Sequence, residues 1–154
     1  EVNNKVVGKH EGLCYYTIGQ RKGLGLSQGS AFADRFGETK PWFVVDKDLE
    51  KNTLIVSKNQ KDLLKKELVA KNVNWVSGKE PRLPLKVKVK IRYRHQSDQA
   101  ILTKNPQSKI HNLNFKTPQR AITPGQSAVF YLPVRSSQAK EGKNEEVLGG
   151  GIIY

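Results

Sequence analysis

Residues 85–94 alternate without interruption, and few backbone arrangements accommodate such a run. Leu85, Val87, Val89, Ile91 and Tyr93 fall on one side, and Lys86, Lys88, Lys90, Arg92 and Arg94 on the other. Successive side chains of a strand point to opposite faces, so this stretch predicts a strand with one face in a core and one in water. Turn signals crowd around it. Gly78, Pro81 and Pro84 precede it; Asn105-Pro106, Thr117-Pro118 and Thr123-Pro124-Gly125-Gln126 follow. Short strands between frequent turns, with little helix, predict a mainly β chain of the small-barrel or sandwich kind.

The remaining elements fit that class. Val2 to Gly8 and Leu13 to Ile18 are expected strands, and Trp42 to Asp46 with Thr53 to Ser57 an expected hairpin. Leu63, Leu64 and Leu68 have helical spacing, which predicts about two helical turns within Asn59–Leu68. Asn72 to Val76, Ala100 to Thr103, Lys109 to Phe115, Ser127 to Leu132 and Val147 to Tyr154 are further expected strands, with Thr117-Pro118 breaking the chain. Ser27 to Lys40 and Ser136 to Glu146 are expected connections. Gly149-Gly150-Gly151 inside the last strand suggests a bulge or a close backbone approach. Ser77 to Pro84 is the best linker candidate, which divides the chain into residues 1–77 and 82–154.

Charge narrows the function. Lys and Arg number 27 against 14 Asp and Glu, a net +13, which favours polyanions, nucleic acid before an anionic membrane surface. No stretch is apolar and long enough for a transmembrane span or signal segment, so a membrane role is not expected. The single cysteine, Cys14, has no internal disulfide partner and reads as a small buried apolar residue. His10, His95 and His111 are far apart, and no Cys or His pair has metal-ligand spacing. His10-Glu11 sits on a turn where adjacent side chains point apart. There is no Gly-x-x-x-x-Gly-Lys-Ser/Thr loop, and the glycines of residues 19–25 have the wrong spacing for a dinucleotide fingerprint. Nothing in this composition or spacing points to a catalyst.

Two features remain. The first is Tyr15-Tyr16-Thr17-Ile18-Gly19-Gln20-Arg21-Lys22-Gly23-Leu24-Gly25. Its glycines permit a tight, shaped loop that offers Gln20, Arg21 and Lys22 to a phosphate or a base edge, unless it is a basic solvated turn. The second is the cationic face of residues 86–94, whose charges recur every ~7 Å along a strand and can track a phosphate backbone. Lysines also guard exposed edge strands against aggregation, and that is the competing explanation. Arg92, Arg94, the Arg21-Lys22 loop and the net charge favour RNA or DNA.

The motifs themselves carry a resemblance. Gly8-x-His10-x-Gly12-Leu13 and Tyr16-Thr17-Ile18-Gly19-Gln20-Arg21-Lys22-Gly23-Leu24-Gly25, then Pro41-Trp42-Phe43-Val44-Val45, Asn52-x-Leu54-x-Val56 and Ile91-Arg92-Tyr93-Arg94, occur in order. Thr123-Pro124-Gly125-Gln126-x-Ala128-Val129-Phe130-Tyr131 and Leu148-Gly149-Gly150-Gly151-Ile152-Ile153 complete the series. Together they resemble the tRNA-specific 2-thiouridylases, of the bacterial MnmA and mitochondrial TrmU type.

That resemblance implies an enzyme acting on the wobble uridine of certain tRNAs. It activates the C2 carbonyl with ATP and replaces oxygen by persulfide sulfur. Both steps belong to a domain with a Ser-Gly-Gly-x-Asp-Ser loop that this sequence lacks, so no catalytic residue and no bound cofactor are expected here; ATP is expected in that other domain. Cys14 falls beyond the position of the family's second catalytic cysteine. The chain begins at Glu1 without methionine and reads as a piece of a longer protein. The implied parts are a small central β domain, residues 1–77, and a C-terminal antiparallel β-barrel similar to the second domain of translation factors, residues 82–154. By the same resemblance Arg92, Tyr93 and Gln126 contact tRNA, joined as candidates by Gln20, Arg21, Lys22 and Arg94. A strand unbroken to His95 would send Arg92 and Tyr93 to opposite faces, so a bulge or strand end is expected at residues 91–94. Implied partners are tRNA and a sulfur-relay donor protein, with the chain a monomer. The implied compartment is the bacterial cytoplasm, with the mitochondrion as the alternative. The competing function is a generic RNA-binding β-barrel of a ribosome- or translation-associated protein.

Overall fold

The computed structural model describes residues 5–26, 40–93, 95–105, 107–133 and 146–154. Two compact units divide the chain, residues 1–64 and 65–154. Of the expected strand over Val2 to Gly8, residues 2–4 lie outside the described residues and 5–8 form no strand; the expected connections over Ser27 to Lys40 and Ser136 to Glu146 fall largely outside the described residues.

The first unit is built on a two-stranded antiparallel sheet. β1 (Phe43–Asp48) pairs with β2 (Thr53–Ser57), as the apolar runs on either side of residues 49–52 predict. The register shifts between Val44 and Asp46, a bulge that lets Phe43, Val44 and Val45 all be buried in succession. Tyr16, Leu24, Val44 and Val56 form its core, with Trp42 and Leu54 packed against it. Leu13–Tyr15 is a single 3-10 turn rather than the expected strand, and it leaves Cys14 and Tyr15 exposed. The reading of Cys14 as a buried residue is therefore corrected. Only Tyr16 and Ile18 of this stretch turn inward. A turn keyed on Gly12, with φ 146°, replaces sheet pairing here.

Helix is also absent where the leucines predicted it. Gln60–Leu63 is one 3-10 turn, capped by the Asn59 side chain accepting from Lys61 N–H at 3.1 Å, and the chain then extends directly into β3 (Leu64–Trp75). Leu63 is buried in a turn that packs near β1, whereas Leu68 belongs to the core of the second unit. The leucine spacing marks two successive cores and not one helical face.

The second unit is a closed barrel. β3, β4 (Leu85–Lys90), β5 (Asp98–Lys104), β6 (His111–Arg120), β7 (Ser127–Tyr131) and β8 (Val147–Ile153) are arranged in the cyclic order β3-β6-β5-β4-β7-β8. Residues 65–77 thus belong to the second unit, and the division of the chain falls at the start of β3, between Leu64 and Lys65, and not at the Gly78–Pro84 segment. Alternation supplies the core: Val87, Val89, Ala100, Leu102, Leu113, Phe115, Ala128 and Phe130 all face inward. The Thr117-Pro118 break does not occur, since β6 runs on to Arg120. The β5 ladder has already ended at Phe115, so the N–H that proline lacks costs no bond to that neighbour.

Gly149-Gly150-Gly151 marks a close backbone approach, as expected. A Cβ at Gly149 would overlap the Asn74 carbonyl oxygen, one at Gly150 would lie 2.8 Å from Ala128 O, and one at Gly151 2.8 Å from Lys71 O. The β3–β8 register shifts between Lys71 and Asn74, opposite these glycines.

The segment before β4 is pinned by charge. Glu80 accepts from Lys104 Nζ through Oε2 and from His111 Nε2 through Oε1 at 2.7 Å, and His111 itself is buried edge-on to Trp75. The bond from Lys104, and then that from His111, hold the Glu80 carboxyl below its usual 4.5. A group whose folded value is depressed stabilises above its ordinary range and loses that contribution as pH falls through the folded value. Acid titration of the intact chain should therefore show barrel stability declining as pH drops below 4.5, and Glu80→Gln should flatten that decline. An unchanged acid limb in the variant would show that Glu80 is not the group responsible.

Candidate nucleic-acid interface

Each unit carries its own candidate surface. In the first, Gly19, Gly23 and Gly25 all have positive φ, 86°, 72° and 63°, and the residues between them make a closed loop. Gly19 N–H donates to Val44 O at 2.8 Å, and Val44 N–H donates to Gln20 O at 3.0 Å, which fixes the loop to β1. The Gln20 side chain is used inside this frame. Its Oε1 accepts from Thr17 N–H at 2.9 Å, and its Nε2 donates to Lys22 O at 2.9 Å. Gln20 therefore shapes the loop, while Arg21 and Lys22 are exposed at its tip. A second brace sits alongside: His10 Nδ1 accepts from Gly12 N–H, so its Nε2 carries the proton and donates to Asn52 O at 2.9 Å. That employment of both ring nitrogens makes His10 a structural residue.

In the barrel, the surface depends on where β4 ends. The strand stops at Lys90, so alternation does not continue to residue 94. Ile91 is still buried, and the chain then turns, with His95 N–H donating to Arg92 O at 3.2 Å. The expected strand end at residues 91–94 is present, and it frees Arg92 and Tyr93 from opposite faces. Tyr93, on the apolar side of the pattern, is 92% exposed. Arg94 lies outside the described residues.

Register brings Gln126 to the same end of the barrel. Lys90 pairs with Val129, so the residues after β4 approach those that begin β7. Arg92 Nη2 donates to Ala121 O at 3.0 Å, and Thr123 Oγ1 donates to the same carbonyl at 3.0 Å. Gln126 N–H in turn donates to Thr123 O at 3.3 Å, and Gln126 O accepts from Ile153 N–H at 2.8 Å. Ala121 itself holds a left-handed φ of 55°, a conformation that the two donors to its carbonyl help to fix. Arg92 thus reaches the 121–126 loop that ends in Gln126, and the exposed Tyr93 follows Arg92 in the chain. The Ala121 bridge could not be read from residue types, because a carbonyl acceptor has no residue signature.

Closure of the barrel also decides the meaning of the lysines. β4 is paired on both sides, with β5 and with β7. It is not an edge, so its lysines are not guards of an open strand.

Among the described residues no three His, Cys, Asp or Glu are placed to hold a metal, and no helix is long and apolar enough to cross a membrane.

Comparison with known proteins falls on the same two divisions. Residues 1–58 match the family model described as the tRNA methyl transferase PRC-barrel domain, and residues 65–153 match the aminomethyltransferase β-barrel domain. The gap between the two matches coincides with the division between the units. The chain is 40% identical over 149 residues to a tRNA-specific 2-thiouridylase of Marinomonas sp., covering 96% of this chain and 34% of that protein. It is 43% identical over 151 residues to the one from Alkalilimnicola ehrlichii, covering 97% of this chain and 37% of the relative. A third, from Tolumonas auensis, is 42% identical over 154 residues, covering 99% and 37%. The chain spans about a third of the length of the curated relatives it matches. In its two units and in the ordered motifs they carry, the chain belongs to the family of the tRNA-specific 2-thiouridylases.

Proposed function

We propose that this chain is the tRNA-holding part of a tRNA-uridine 2-sulfurtransferase that makes 2-thiouridine at the wobble position. The observation that carries the reading is the bond from the Arg92 side chain to the 121–126 loop, which ends in Gln126, with the exposed Tyr93 ring next to Arg92 in the chain. An exposed aromatic ring and a guanidinium in neighbouring residues are suited to unpaired nucleotides, which are recognised by stacking and by hydrogen bonds to base edges. The Arg21-Lys22 tip of the first unit offers phosphate-binding cations on a braced loop. Gln20 supports that loop and does not reach outward with the others.

Chemistry is assigned to none of these residues. The sequence has no Ser-Gly-Gly-x-Asp-Ser loop, and no step through ATP is drawn from its residues. Adenylation and sulfur transfer would belong to the remainder of such an enzyme, with a sulfur-relay protein as donor. The reading places the protein in the bacterial cytoplasm as a monomer.

The test is direct binding of tRNA to the chain at rising salt. Four or so phosphate contacts should weaken the affinity roughly a hundredfold between 50 and 200 mM monovalent salt. A flat salt response, or no binding at the lower salt, would remove the reading. Equal affinity for unrelated single-stranded RNA would favour a generic RNA-binding barrel instead.

A further inference from the structure

The side wall of the barrel carries a charge pattern that the end-loop cluster does not use. β6, β5, β4 and β7 are neighbours in that order, and their registers align the outward-facing residues into one continuous surface. Lys86, Lys88 and Lys90 occupy the outward positions of β4, and Lys116 continues the outward series of β6 just past its last paired residue. Among the described residues, the outward positions of these four strands hold no Asp or Glu. Two carboxylates at the ends of these strands are bonded away from the wall. Asp98, on the inward side, accepts from Thr117 and Gln119 at the barrel end, and Glu80 is tied to Lys104 and His111. The remaining sector, β3 and β8, has Asn72, Asn74, Gly150 and Ile152 toward solvent; its cations are Lys71, which lies over the Tyr154 ring, and Lys65 and Lys66, which adjoin the carboxylate of Glu67 at the start of β3.

Shape and chemistry together select the ligand. The wall is the outside of a barrel, so it is convex and cannot enclose a strand. Among the described residues its one aromatic side chain is Tyr131, half-buried like Lys88 and Lys90, and a single such ring is not a row of platforms for successive bases. What it presents between the lysines are short amides: Gln99 beside Lys88, and Asn114 across Ile101 from Lys86. An A-form RNA helix has a wide, shallow minor groove flanked by phosphates and lined with 2′-hydroxyls, and it is recognised by shape and by such contacts. Lys86 and Lys90, four residues apart on the same face of β4, can meet backbone charges, and amides can donate to and accept from hydroxyls.

We propose that this lysine wall docks the sugar–phosphate backbone of a double-helical RNA stem, as a second contact separate from the end loop that meets unpaired nucleotides. The proposal rests on the reading of the chain as a tRNA-holding module and deepens it by dividing recognition between two faces. The wall supplies orientation without sequence preference; the loop supplies discrimination.

The experiment compares the whole chain with a Lys86→Gln/Lys90→Gln/Lys116→Gln variant, using a short RNA hairpin stem, single-stranded RNA of equal length, and tRNA. A control variant, Lys5→Gln/Lys9→Gln/Lys61→Gln, removes the same charge from exposed positions of the first unit. The wall variant should bind the duplex about tenfold or more weakly at 100 mM salt, with the slope of log affinity against log salt smaller by about 2 to 3. The control should keep the duplex affinity within about threefold, and circular dichroism should show both variants folded. Equal duplex binding by the wall variant and the unmodified chain overturns the proposal. So does an equal loss for single-stranded RNA, which would make the wall an unselective polyanion surface. If the unmodified chain binds no RNA at all, the tRNA-holding reading fails first, and the two failures are thereby distinguished.

Discussion

Gly149→Val is expected to unfold the barrel, at a cost of about 3 kcal/mol or more. The reason is local and geometric. The position faces the Asn74 carbonyl and the Trp75 ring, and an added Cβ would meet backbone on the neighbouring strand, which has no rotamer to yield. Relief would require β3 and β8 to separate, and their pairing closes the cylinder. Ile152, on the same strand and 41% exposed, provides the contrast: Ile152→Ala should change stability by no more than about 0.5–1 kcal/mol. Urea titration followed by far-ultraviolet circular dichroism measures both. Gly149→Val with an unfolding midpoint near that of the unmodified chain would mean that the close approach is not structural.

The second large effect concerns binding. Tyr93→Ala should weaken tRNA binding by about 1–3 kcal/mol, the scale of one base stacked on an aromatic ring. Its thermal midpoint should not move, because the ring is 92% exposed and contributes little to packing. Arg92→Ala should weaken binding on a similar scale, about 1–3 kcal/mol, but should also lower stability. It removes one of two donors to the Ala121 carbonyl, in a loop that already holds a non-glycine residue at positive φ. Anisotropy titrations with tRNA, paired with thermal melts, separate these two signatures. Unchanged affinity in Tyr93→Ala would exclude its ring from the interface.

Much of the barrel was legible because alternation and burial share one cause. Val87, Val89, Ala100, Leu102 and Leu113 lie inside simply because every second residue of a paired strand must face the same way. The strand end at Lys90 was also foreseeable, from the need to release Arg92 and Tyr93 from opposite faces. Tertiary context defeated the local signals elsewhere. Leu63, Leu64 and Leu68 have a helix-like spacing, yet they straddle the end of one unit and the start of the next. Proline at 118 reads as a break only if each N–H of its strand is needed, and past Phe115 the β5 ladder no longer asks for one. Cys14 beside aromatic residues reads as buried, but the turn at Gly12 rotates it outward.

For the candidate site, residue types were legible and their employment was not. Gln20, Arg21 and Lys22 form one polar run in sequence, but the first is consumed by hydrogen bonds to Thr17 and Lys22 while the other two face water. Only coordinates distinguish a brace from a contact. The lysines of β4 were ambiguous for a similar reason: whether a strand is an edge depends on which strands lie beside it, and that is a property of closure.

The tether between Arg92 and the Ala121 carbonyl has a kinetic consequence. A guanidinium on a surface ordinarily samples many rotamers and must surrender them when a partner arrives, a loss of about 0.5–1.5 kcal/mol for a long side chain. Here one nitrogen is already anchored while Nε is buried and carries no hydrogen bond. Much of that disorder is gone before any RNA is met. A complex formed on such a pre-set group should owe its lifetime to slow dissociation, and loosening the 121–126 loop should shorten that lifetime without altering the rate of encounter.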